Sequence, residues 1–228
     1  NRKSSGFTHT VRYEYGDRSG VIARDVETGV QWAVPLDFMN DIPNATSASG
    51  LIYVDTYNGS TFVGTKYTGF TVTVPASVKP TCSIQVLDNT PNKDYYGNLV
   101  KGLSKLYIKT TGTKAYSSPI ASYNVTTNGV NYTDNEIVTS VLSASGTTTV
   151  SATVKDKRGR TSAKASASFT VLDYDPPAIT KLSAVRCNQD GSANKRGGYT
   201  KVTFSATVTS LNSKNTAQYY LKYKATTD

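Results

Sequence analysis

The chain holds one histidine, one tryptophan, one methionine and two cysteines in 228 residues, and each scarcity closes off a class of chemistry. The lone His9 sits in an alternating run beside Val11 and Tyr13. That setting reads as a half-buried structural side chain, and no carboxylate can be assigned to orient it as a general base. No Gly-x-Ser-x-Gly elbow supplies a nucleophile. Neither Cys-x-x-Cys nor His-Glu-x-x-His occurs, which argues against zinc, and there is no glycine run of the phosphate- or dinucleotide-binding kind. These gaps lead to the expectation of a non-enzymatic chain with no catalytic residues, no cofactor and no metal.

Cys82 and Cys187 fall near the starts of different modules, so free thiols are expected rather than a disulfide scaffold. No long run at helical spacing and no heptads are found, and no stretch approaches the roughly 18 apolar residues of a membrane span. No membrane partner is therefore expected. Hydrophobic residues make up 37% of the chain, low for one large core but suited to several small sandwiches with much surface.

What is plentiful is tyrosine, at 16 residues, which packs well on the pleated, half-buried surface of a strand. The clearest pattern is Ala144–Val171, which reads as one long hairpin. Val150, Ala152 and Val154 alternate with polar residues on the outgoing side. Ala163, Ala165, Ala167, Phe169 and Val171 do so on the return. Earlier, Phe7–Tyr15 gives a strand with Phe7, His9, Val11, Tyr13 and Tyr15 on one face. Val21–Val26 and Val30–Val34 are expected to follow as strands. Pro35 to Pro43 bounds a short helical turn with Leu36, Met39 and Ile42 inward. Leu51–Tyr57 and Thr61–Val74 flank Asn58-Gly59-Ser60, a strong hairpin signal.

Two proline-bearing linkers, Val74–Pro80 and Asp173–Pro177, divide the chain. Three units are expected: an N-terminal β-sandwich over residues 1–75, an immunoglobulin-like sandwich over 80–173, and an incomplete third module over 176–228. In the second, Leu106, Ile108, Tyr123 and Val125 point inward. Thr133-Asp134-Asn135-Glu136 has the form of a capping box, so Ile137, Val138, Val141 and Leu142 predict a short helix. Modules one and two are read as a repeat, with Gly59 matching Gly159. Module three lies on module two at an offset of 96, pairing Leu106 with Val202, Ile108 with Phe204, Tyr123 with Tyr219 and Val125 with Leu221. The third module then stops before its helix and hairpin, which suggests a longer native chain.

Net charge is +9, compatible with polyanionic partners such as teichoic acid or acidic polysaccharide, and equally with a solubilised β surface. The densest basic cluster is Lys155, Lys157, Arg158 and Arg160 around Gly159, a possible contact loop. Tyr219 to Lys224 interleaves aromatic and basic residues, but strand alternation would send Tyr219, Leu221 and Tyr223 inward, so no nucleic acid is expected as a partner. Tyr95, Tyr96 and Tyr116 are candidates for stacking on sugars. Asp173 and Asp175 offer too few oxygens for calcium.

Several stretches resemble a known family. Phe7-Thr8-His9-Thr10-Val11, Trp32-Ala33-Val34-Pro35, Ile42-Pro43-Asn44-Ala45-Thr46-Ser47 and Thr56-Tyr57-Asn58-Gly59-Ser60 are similar to the opening module of siphovirus minor structural proteins. These come from the tail modules of phages that infect Gram-positive bacteria. Val154-Lys155-Asp156-Lys157-Arg158-Gly159-Arg160 resembles a recurrent turn of their immunoglobulin-like repeats. The resemblance implies a virion tail or baseplate protein of tandem immunoglobulin-like β-sandwiches, joined by short proline-containing linkers and carrying short helical turns. It implies other phage tail proteins as partners and, at the host-contacting end, cell-surface polysaccharide or teichoic acid; a homo-oligomer is compatible with it. It transfers no catalytic residue. A carbohydrate-binding module for host cell-wall glycan, and accessory domains of a wall hydrolase, stand as alternatives.

Overall fold

A computed structural model describes residues 6–91 and 97–224. Tyr95, Tyr96 and Asp228 lie outside the described residues. The chain is all-β, and its first unit begins with β1 (Phe7–Tyr15) and β2 (Arg18–Val26). A 3-10 helix (Leu36–Asp41) follows, and then β3 (Ser47–Asn58) and β4 (Thr61–Thr73). These strands form one antiparallel sheet in the order β2-β1-β3-β4. The β3–β4 turn is Gly59-Ser60, and Gly59 takes φ +58°, a conformation open to glycine at no steric cost.

This unit differs from the expected sandwich. Residues 30–34 form no strand, and no second sheet faces the first among the described residues. The space is filled by side chains instead. Phe38, Met39 and Ile42 are buried with Tyr15, Val72 and Val74, while Trp32 and Phe70 pack around them. Tyr15 and Phe38 stack with ring centroids 4.8 Å apart, and Trp32 meets Phe70 edge-on at 5.7 Å. Phe38 takes the inward place expected of Leu36, which is exposed. A tryptophan, a phenylalanine and a turn of helix bury enough apolar area to close a small sheet without further strands. Among the described residues no element covers the opposite face of the sheet.

The second unit is a two-sheet sandwich. Its strands are β5 (Thr81–Asp88), β6 (Leu99–Val100), β7 (Leu106–Thr113), β8 (Ile120–Thr127), β9 (Val130–Tyr132), β10 (Glu136–Val138), β11 (Gly146–Asp156) and β12 (Ala165–Leu172). One sheet runs β10-β7-β5 and the other β6-β12-β11-β8-β9. Strands adjacent in sequence repeatedly switch sheets, and β6 runs parallel to β12, as in immunoglobulin-like sandwiches. Alternation supplies the core. Ile108, Val125, Val150, Ala152 and Val171 are buried from both sheets, with Cys82, Ile84, Val86 and Phe169 packed against them.

The expected helix after Thr133 is absent. Glu136–Val138 is a strand, with Ile137 opposite Ile108. Leu106 donates its N–H to Thr139 Oγ1 at 3.0 Å, and Thr139 returns its own N–H to Leu106 O at 2.9 Å. The free edge of β7 offers a ladder to this stretch, and that outweighs the local capping signal.

In the third unit β13 (Ala178–Cys187) and β14 (Tyr199–Thr207) form a two-stranded hairpin. They occupy the positions that the offset of 96 gives to β5 and β7. Residues 216–223, which that offset lays on β8, form no strand, and Tyr219, Leu221 and Tyr223 are exposed rather than inward. Phe204 and Tyr219 still meet, ring centroids 5.2 Å apart, beside an open apolar hollow of about 780 Å³ that Ile179 and Leu182 also line.

Candidate functional site at the junction of the first two units

The basic turn after β11 is where the first two units meet. Its shape comes from Asp156, whose Oδ1 accepts from the Arg160 N–H at 2.8 Å and whose carbonyl accepts from Gly159 N–H at 3.0 Å. Gly159 takes φ +84°, which a side chain would resist. Lys157 N–H also reaches Pro119 O at 3.0 Å, tying the turn to the loop before β8. The segment is thus held at three points before either arginine side chain makes a contact.

Those two side chains reach toward the first unit. Arg158 is only 7% exposed. Its Nε donates to Ile42 O and its Nη2 to Met39 O, both at 2.8 Å, and its Nη1 donates to Ala115 O at 3.1 Å. The guanidinium therefore joins the end of the 3-10 helix in the first unit to the β7–β8 loop of the second. Arg160 donates to Val74 O at 2.6 Å, to Val78 O at 3.1 Å and to Pro75 O. The linker turns back on itself, with Val78 N–H on Pro75 O, so its carbonyls converge on this one cation. Ser117 adds a bond from its hydroxyl to Asn40 Oδ1 at 3.0 Å.

Burial pushes the Arg158 guanidinium below its ordinary value, and the nearby Asp156 charge opposes that shift. An arginine keeps its charge under such conditions, and its planar fork can address several carbonyls at once, which lysine cannot do. Of the four basic residues singled out in the sequence, only Lys155 and Lys157 face solvent. Arg158 and Arg160 are spent on the junction and do not form part of an outward contact loop. Their carbonyl partners Met39, Ile42, Val74, Pro75 and Val78 carry no side-chain signal in sequence.

The remaining candidates have local roles. His9 Nδ1 lies 3.0 Å from Thr56 Oγ1 across the β1–β3 pair. Asp173 pairs with Lys101 at 2.9 Å, so the second linker's acid is held by a cation. Glu136 pairs with Lys109 at 2.6 Å and accepts from Tyr107. Both cysteines are free, Cys187 buried and Cys82 partly so, and burial raises the Cys82 thiol. No group of three or more metal-ligating side chains is found among the described residues. Among the described residues no helix is long and apolar enough to cross a membrane.

Fold and junction together define an all-β chain that contains an immunoglobulin-like sandwich docked by two arginines onto a neighbouring sheet. The family of siphovirus proteins of unknown function designated DUF859 matches residues 1–222, and the chain belongs to that family. Among solved structures it is similar to fibronectin(III)-like modules of Clostridium thermocellum CbhA, with 17% identity and a TM-score of 0.32 over 76% of this chain and 83% of that one. No curated protein matches it in sequence.

Proposed function

We propose that this chain is a non-enzymatic structural protein of the phage virion, placed in the tail or baseplate, where it spaces and presents host-contacting elements. Membership of a siphovirus family supports a phage role. The observation that carries the finer reading is the junction. Two arginines make six hydrogen bonds to main-chain carbonyls, and five of these reach the first unit or the linker. Such a joint holds two units in a fixed orientation, which a spacer requires and an independent binding module on a flexible tether does not. Main-chain carbonyls are the partners of both arginines, so, the Ser117–Asn40 bond apart, the joint depends on fold rather than on particular side chains of the first unit.

The test is physical. Phage particles purified on a density gradient are probed with antibody to this chain and imaged with a gold label. Label on the tail or its tip is the expected result. Absence of the chain from purified particles overturns the reading.

A further inference from the structure

The open face of the first sheet carries an ordered row of side chains that the junction does not use. Strand register places Val21, Arg12, Tyr53 and Tyr67 side by side across β2, β1, β3 and β4. The Arg12 guanidinium lies over the Tyr53 ring, 4.0 Å from its centroid, and Tyr67 meets Tyr53 from the other side at 5.8 Å. Tyr53 donates its hydroxyl to Glu14 Oε2 at 2.7 Å. Arg12 donates to Glu14 Oε1 at 3.2 Å and to Asp55 Oδ2 at 2.9 Å, and Thr65 donates to Asp55 Oδ1 at 2.5 Å. At the open end Tyr67 is 70% exposed. Four residues along β3 a second aromatic pair, Tyr57 and Phe62, meets on the same face at 5.7 Å. The two pairs stand about 13 Å apart at the usual strand rise.

We propose that this face binds a neutral hexose oligosaccharide, with Tyr67 as the stacking surface and Glu14, the more exposed of the two carboxylates, accepting from sugar hydroxyls. The inference rests on the reading of the chain as a host-contacting virion protein and deepens it. Three features select the occupant. Tyr53 is clamped by Arg12 and Glu14, so the aromatic row is ordered before a ligand arrives and little entropy is lost on binding. The exposed Glu14 carboxylate has about four lone-pair sites, more than its two bonds within the row occupy, and the surplus suits hydroxyl donors. The row sets one guanidinium against two carboxylates on a chain whose net charge is +9. It is thus a patch unsuited to polyanions and suited to an uncharged polyol.

The experiment is isothermal titration of the full chain with neutral gluco- and galacto-oligosaccharides of four to six rings, with polyglycerol phosphate as the anionic comparison. Binding of at least one neutral oligosaccharide is expected, weakened roughly tenfold in Tyr67→Ala, as for loss of one aromatic contact. Tyr67→Phe keeps most of the affinity, and Lys157→Ala, on the exposed side of the junction turn, leaves it unchanged. Glu14→Gln weakens binding while its thermal melt shows the fold intact. Binding to none of the neutral sugars, binding only to polyglycerol phosphate, or equal affinity in Tyr67→Ala overturns the proposal. So does a protein from purified particles that Tyr67→Ala alone fails to retain, since the face is then a protein interface. Gold labelling that places the chain outside the particle defeats the virion reading while leaving a measured sugar affinity standing, so the two failures are separable.

Discussion

Replacing Arg158 by methionine keeps much of the side-chain volume and removes every donor. The wild-type guanidinium bonds to Ile42 O, Met39 O and Ala115 O while only 7% exposed. A hydrogen bond to a charged group contributes about 1.5–3 kcal/mol, and a buried carbonyl that loses its donor carries a desolvation cost of about 1–3 kcal/mol. Relief from burying a guanidinium offsets part of this. The net loss is set at about 3 kcal/mol, shared between the last turn of the 3-10 helix and the joint. The chain's single tryptophan makes the effect readable. Trp32 packs edge-on against Phe38, one residue before Met39, so its fluorescence reports the first unit alone. With a urea slope of about 1–3 kcal/mol/M, the midpoint of that signal falls by roughly 1–3 M in Arg158→Met. Arg158→Lys recovers only part of it, because an ammonium cannot span three diverging carbonyls. A midpoint within about 0.3 M of wild type, on the same urea scale, would show that the arginine is not a support of the first unit and would refute the argument.

Three further outcomes are expected. A Cβ on Gly50 would collide with the Phe70 ring and come within 2.8 Å of Glu14 O, so Gly50→Ala overpacks the first unit by about 1–3 kcal/mol and lowers its melting temperature by on the order of 10 °C, measured by Trp32 fluorescence. The Thr65 hydroxyl, and then Arg12, hold the Asp55 carboxyl below its ordinary value. Its contribution is therefore complete above about pH 4 and is lost as pH falls through the folded-state value; the melting-temperature gap between wild type and Asp55→Asn should shrink between pH 6 and pH 2.5, and a gap that stays constant contradicts this. Both thiols are free but shielded, so Ellman's reagent at pH 8 should react slowly with the native chain and titrate two thiols at once in denaturant.

Much of the fold is written in two-residue periodicity. Phe7–Tyr15 and the inward residues of β11 could be read directly, because alternation is a local property with one geometric outcome. Errors arose where a local signal competed with a distant partner. Thr133 to Glu136 has the residues of a helix cap, yet β7 takes the following stretch as an edge strand. Residues 30–34 look extended but contribute one tryptophan to a core rather than a strand. The turn from Lys155 to Arg160 could be placed, while the use of its arginines could not. A charged turn reads as solvated unless something far away in sequence covers it, and Arg158 finds its carbonyls 116 and 119 residues earlier. The open face of the first sheet escaped for a related reason. Arg12, Tyr53 and Tyr67 become neighbours only through strand register, which spacing along the chain does not reveal.

The bonds from Arg160 to Val74, Pro75 and Val78 also bear on how the chain answers tension. Pulled taut, the seven linker residues Val74–Pro80 would span up to about 24 Å. Gathered around one guanidinium, they hold much of that length as slack. A load along the chain must strip these carbonyls from Arg160 and the Met39 and Ile42 carbonyls from Arg158 before the units part. The linker beyond Val74, which is fixed in the first unit's core, then lengthens, and it regathers when the load drops, since the backbone that carries Arg160 stays held by Asp156. Two units joined this way are stiff under small forces and extensible under larger ones, a change of compliance set by two arginine side chains.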